Sequence, residues 1–162
     1  MKTWHSIRTL SLWALLAPFA HAVTTVNCTA SAGGIAFGIY NPLSAVANAS
    51  TGNLKITCNG SGTGSANVTV NVSLSSGLGG TYATRKMFSG VNVLNYNIFW
   101  STAYNQIMGD GSGGSFAGSA GPFTVPAGGS NQATGTMYGL IPASQDVAPG
   151  SYSDVITVTV TY

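Results

Sequence analysis

The sequence of 162 residues is poor in the side chains that catalysis uses. It carries three Asp (Asp110, Asp146 and Asp154), no Glu, and two His, His5 and His21, both near the start. A serine nucleophile needs a base within hydrogen-bond reach. Beyond His21 there is no further histidine, and no G-x-S-x-G occurs. Hydrolysis by carboxylates needs a converging pair, one of them with a raised pKa. Asp146 sits in the turn-like SQDVAPG, Asp154 near the start of a strand, and Asp110 in GDGS, where Asp-Gly is turn chemistry. GDGSGG, Gly109 to Gly114, fits G-x-G-x-x-G, but a phosphate loop needs a helix after it. The next residues, SFAGSAGPF, make no helix. A calcium loop starting at Asp110 fails because its later ligand positions lack carboxylates. No catalytic residue, metal or cofactor is therefore expected.

Cys28 and Cys58 are the only cysteines. An even count in an exported chain reads as one disulfide, and the absence of C-x-x-C argues against a metal site. Closing a loop of about 30 residues stabilises by roughly 3–4 kcal/mol if unstrained.

Export is read from the first 22 residues. Lys2 and Arg8 make a positive start, Leu10 to Ala20 (LSLWALLAPFA) an apolar stretch, and Ala20 to Ala22 (AHA) a small-residue cleavage site. The apolar stretch is well short of the about 20 residues that span a bilayer. The prediction is a signal peptide over 1–22, cut before Val23, with a single domain over 23–162 and no membrane span. Removing the signal leaves Lys55, Arg85 and Lys86 against the three Asp, so no net charge. Such a chain has no electrostatic footprint for nucleic acid and little self-repulsion to keep copies apart.

The elements that would carry any site are strands. Val68, Val70, Val72 and Leu74 alternate with Asn67, Thr69, Asn71 and Ser73. The same period of two places Ile35, Phe37 and Ile39 together, then Leu54, Ile56 and Cys58, then Leu94, Tyr96, Ile98 and Trp100. ATGTMYGLI is a less regular candidate. Tyr152, Ile156, Val158, Val160 and Tyr162 share one face of the last segment, with Asp154 the polar exception. Between these runs lie the turn-like clusters NASTGN, NGSGTGS, SSGLGG, GDGSGG and PAGGSNQ. Short strands of this kind with Gly-rich turns predict an all-β sandwich. Trp100, Tyr96 and Tyr104 could line a ligand site or pack in the core.

NCTASAGGIAFGIYNPLSA, LKITCNGS, LNYNIFWSTAYNQIMGDGS and the closing YGLIPASQDVAPGSYSDVITVTVTY together resemble the spore coat protein U domain, over essentially the whole chain after the signal. One departure is Met108, where the family often has Trp. The resemblance implies an immunoglobulin-like antiparallel β-sandwich that lacks its final strand, as in subunits of archaic chaperone–usher pili. It implies a periplasmic pilus chaperone, an outer-membrane usher and other pilus subunits as partners, with display at the cell surface and a part in attachment and biofilm. A partner strand would satisfy an open sheet edge and fill alternate pockets. Burying four or five apolar side chains would contribute on the order of 10 kcal/mol before ordering costs. The expected acceptor groove has Ile156, Val158, Val160 and Tyr162 on one wall and Phe37 and Ile39 on the other. The segment before Cys28, VTTVN, reaches only about 16 Å. It is therefore a poor donor strand, which points to a tip or minor subunit over a shaft subunit. Two alternatives stay open: a self-contained secreted coat or matrix protein, and a carbohydrate-binding module using Tyr82, Trp100 and Tyr104.

Overall fold

The computed structural model describes residues 24–162, so the expected signal peptide lies outside the described residues. Eight strands succeed one another: β1 (Thr24–Ala32), β2 (Asn48–Gly62), β3 (Ser65–Leu74), β4 (Arg85–Ser89), β5 (Asn92–Phe99), β6 (Gly118–Pro126), β7 (Ser130–Ile141) and β8 (Val158–Thr161). They form a five-stranded sheet, ordered β1-β2-β7-β5-β4, and a three-stranded sheet, ordered β6-β3-β8. Every strand pair is antiparallel. The two sheets make a β-sandwich, as the alternating pattern predicts, of the immunoglobulin-like kind that the resemblance implies, and no helix occurs among the described residues.

The inner faces are the ones the period of two selects. Leu54, Ile56 and Cys58 of β2, Val68, Val70, Val72 and Leu74 of β3, and Leu94, Tyr96 and Ile98 of β5 are all buried in one cluster. Cys28 and Cys58 face each other across the β1–β2 ladder and are joined by a disulfide. The bridge ties the edge strand β1 to the core.

Two readings of local sequence change. NASTGN and the start of NGSGTGS read as turns, yet both lie inside the 15-residue β2. This strand is hydrogen-bonded on both edges, to β1 and to β7. Two full ladders outweigh turn-favouring composition, since sheet context routinely overrides local preference. Gly52 is small because the chain crosses it closely: a Cβ there would lie 2.8 Å from Gly33 O and 2.8 Å from Ile35 Cγ1. The reverse happens at Ile35, Phe37 and Ile39. The strand on this side is β1, and residues 33–40 continue past it without a backbone ladder, changing direction at Gly38, whose φ is 70°. Only Gly33 N still reaches Asn53 O, at 2.8 Å.

Candidate functional site: a groove between two unpaired walls

The last segment splits into two parts. Residues 158–161 form β8 against β3, with Val160 opposite Val72. Residues 151–157 follow a bend at Gly150 and make only single contacts. Ser153 exchanges backbone hydrogen bonds with Phe88 at 2.8 and 3.1 Å, and Thr157 O accepts from Ser75 N at 2.9 Å. In an extended chain the N–H and C=O of one residue point the same way, and those of the next point oppositely. Ser153 and Thr157 are turned to β4 and to the end of β3, so Tyr152, Asp154 and Ile156 turn their backbone to the other, unpaired edge.

The facing wall is the 33–40 segment. It is fastened to β2 by side chains: Ser50 Oγ donates to Ala36 O at 2.6 Å, and Asn48 Nδ2 to Phe37 O and Ile39 O, both at 3.2 Å. The Phe37 ring lies over Gly139, where a Cβ would come within 2.6 Å of Phe37 Cζ, and meets Tyr96 edge-on at 5.9 Å.

Between the two walls run two adjoining cavities. One, of about 320 Å³, is lined by Gly33, Gly34 and Phe37 on one side and by Asp154, Ile156 and Val158 on the other. The second, of about 610 Å³, continues toward Tyr40, Pro42, Pro149 and Gly150. Ile35, Phe37, Met87 and Tyr152 line both. The floor is the inner face of the five-stranded sheet: Met87, Leu94, Tyr96, Ile98, Met137 and Ile141, all buried. Ile35, Phe37, Tyr152, Ile156 and Val158 are only half-buried, so the apolar surface still open to solvent is mainly on the walls.

Of the six residues expected along such a groove, Phe37, Ile156 and Val158 line the cavities. Ile39 stands at the rim of the larger one and is 96% exposed. Val160 and Tyr162 line neither. Val160 lies in the β3–β8 ladder and packs on the core, and β1 runs near β8. Tyr162 lies just past the end of that ladder and is exposed.

Sequence reasoning missed the polar residues beneath the groove. Asp154 breaks the apolar alternation because its carboxylate is a fastening point. Oδ2 accepts from the Tyr96 hydroxyl at 2.8 Å, and Oδ1 accepts from Leu78 N and Val155 N at 2.8 Å each. Burial, and then the bond to Asp154, push the Tyr96 pKa well above its ordinary value. Arg85 is fully buried. Its guanidinium donates to Ser75 O at 2.8 Å, Met108 O at 2.7 Å and Asn97 Oδ1 at 2.7 Å. Burial pulls its pKa down from the ordinary value. The signal was there to read: an Arg at the start of an alternating run in a chain with so few charges.

The other expected features fall elsewhere. Asp110 folds back onto Ser112, whose hydroxyl and amide donate to it and hold its carboxyl below the usual range. Trp100 covers Gly118, donates from Nε1 to Phe116 O at 3.0 Å, and lines a third cavity of about 120 Å³. Neither Tyr82 nor Tyr104 contributes to that cavity. Tyr82 lies against Arg85, and Tyr104 packs edge-on against Phe99 at 5.3 Å. The three aromatics form no shared platform. Met108 is fully buried, in keeping with an apolar core position. No helix of the described residues is long and apolar enough to cross a membrane.

An all-β sandwich, stapled by one disulfide and grooved along one edge, defines the class. The chain belongs to the spore coat protein U domain family, whose model matches residues 15–159. The fold is similar to that of a chain in the crystal structure of the CsuC–CsuE chaperone–tip adhesion subunit pre-assembly complex from archaic chaperone–usher Csu pili of Acinetobacter baumannii. The TM-score is 0.55 at 22% identity, over 85% of this chain and 40% of that one. This chain thus spans less than half the length of that chain. The comparison with curated proteins found no match.

Proposed function

We propose that this protein is a structural subunit of an archaic chaperone–usher surface assembly, and that its groove accepts a β-strand from a partner. One observation carries the reading. Two wall segments outside any ladder, 33–40 and 151–157, face each other across an apolar floor without pairing to each other or to a strand between them. A single inserted strand would satisfy both backbone edges and cover the half-buried wall side chains together. The family membership and the shared fold support the same reading. A periplasmic chaperone would supply the strand first and a neighbouring subunit later. The usher, passage through the periplasm and display at the cell surface in attachment or biofilm belong to this proposal, as do the cleaved signal over 1–22 and a single domain over 23–162. The role is assembly, not catalysis.

The test is strand complementation. The protein is exported into an oxidising periplasm alone, and again with a flexible C-terminal linker carrying an alternating apolar strand or a scrambled copy of it. The expected result is a higher yield and unfolding midpoint with the alternating strand only. A native chain that is already a stable monomer, and gains nothing from the strand, would favour a self-contained coat protein.

A further inference from the structure

Asp154 is the one charged side chain among the residues that line the two cavities. Asp154 and Tyr96, joined by the hydroxyl-to-carboxylate bond, both line the smaller cavity. A carboxylate offers about four acceptor sites. Three are taken here, by Leu78 N and Val155 N on Oδ1 and by the Tyr96 hydroxyl on Oδ2, and all three donors are uncharged. Arg85, the buried cation of this core, directs its donors to Ser75 O, Met108 O and Asn97 Oδ1. Oδ2 of Asp154 accepts one hydrogen bond, from Tyr96, and has capacity for a second, with Gly77 packed close on one side of it. The other wall of the cavity includes Gly34, where a Cβ would meet nothing within 4 Å, which leaves room for a side chain from the occupant.

An inserted strand removes water from this carboxylate. An ionised carboxylate that loses water without gaining a donor is strongly disfavoured, and an acidic neighbour worsens it. A side chain that donates replaces the lost water. Resting on the strand-acceptance reading, we infer that the groove selects its partner at one position. The inward side chain meeting Asp154 and Tyr96 must be a hydrogen-bond donor such as Asn or Lys, and an acidic or bulky apolar residue is refused. Asp154 is on this view a specificity-determining residue, and the other inward positions of the partner strand are apolar.

The test uses the purified exported protein and synthetic strands of about 11 residues. The parent strand has Val at every inward position and Thr at every outward one, and each inward Val is replaced in turn by Asn, Lys, Leu or Asp. Dissociation constants are read by Trp fluorescence. At one inward position only, Asn or Lys should bind about 10-fold or more tighter than Leu, the yield expected of a hydrogen bond to a charged group, with Asp the weakest. Asp154→Asn keeps an acceptor for Leu78 N and Val155 N but turns the other atom into a donor, so the penalty on Asp should vanish. Tyr96→Phe removes the donor to Oδ2 and should widen the gap between Lys and Leu. If strands bind but no position prefers a donor, or the preference is unchanged in Asp154→Asn and Tyr96→Phe, this inference fails and strand acceptance stands. If no strand of the set binds, strand acceptance fails and takes the inference with it.

Discussion

Phe37→Ala separates what the groove does for the open domain from what it does for a bound strand. Removing a fully packed Phe side chain costs about 3–5 kcal/mol. In the open domain Phe37 is half-buried, with one side on Gly139 and Tyr96 and the other toward the cavities. About half the full cost, ~2 kcal/mol, should therefore appear as lost stability of the domain alone. The remaining ~2 kcal/mol should appear only when a strand covers the open side of the ring. That corresponds to about 30-fold weaker strand binding. Urea unfolding of the free protein measures the first part and titration with an alternating apolar strand the second. Ile39→Ala is the control: its side chain is 96% exposed at the rim, and truncation should change stability by no more than about 0.5 kcal/mol. A Phe37→Ala protein that loses about 4 kcal/mol of stability yet binds the strand as tightly as its parent would refute the placement of this ring on the groove wall.

Four further outcomes are expected from the same packing. Arg85→Met should cost roughly 3 kcal/mol in urea unfolding, because it leaves the buried Ser75 and Met108 carbonyls and Asn97 Oδ1 without their donor; a neutral result would mean water replaces the guanidinium. Replacing Cys28 and Cys58 by Ala together should lower stability by about 3–4 kcal/mol through the 30-residue separation they close, measured against the oxidised parent. Gly139→Ala puts a methyl within 2.6 Å of Phe37 Cζ and 2.8 Å of Ile35 Cγ2; it should displace this wall, costing about 1–3 kcal/mol and weakening strand binding. Tyr96 has a raised pKa in the folded state, so the folded protein holds this proton where the unfolded chain has released it. Its contribution is therefore complete below about pH 10 and is lost as pH rises further; Tyr96→Phe should flatten the alkaline fall in stability.

The alternating pattern was enough to find the inner faces of β2, β3 and β5, because each strand buries one face and exposes the other. It failed in three places, for separate reasons. β1, β4 and β6 are edge strands or are short, and edge positions place weak demands on alternation. The first half of β2 reads as a turn because its glycines and asparagines answer to close backbone crossings and to ladders on both sides, neither of which is local. The run around Phe37 has a strand's pattern without a strand's partners, since its alternate side chains line a groove. Three of the six expected groove residues, Phe37, Ile156 and Val158, were legible because they share that alternation. Val160 shares it too, yet it pairs with Val72 in the β3–β8 ladder and packs on the core without lining either cavity, and only tertiary structure shows that. Asp154 looked like an interruption and Arg85 like one of a few scattered charges; both turn out to be fastenings, whose partners lie on Tyr96, Leu78, Ser75, Asn97 and Met108.

Strand acceptance is tested most directly by amide hydrogen exchange on the two walls, before and after a complementing strand is added. The amides of every other residue of 34–40 and of Tyr152, Asp154 and Ile156 should exchange fast in the free protein and become protected together in the complex, while the β2–β7 ladder stays protected throughout. Walls already protected in the free protein, or left unchanged by a bound strand, would contradict an open groove that a partner strand completes.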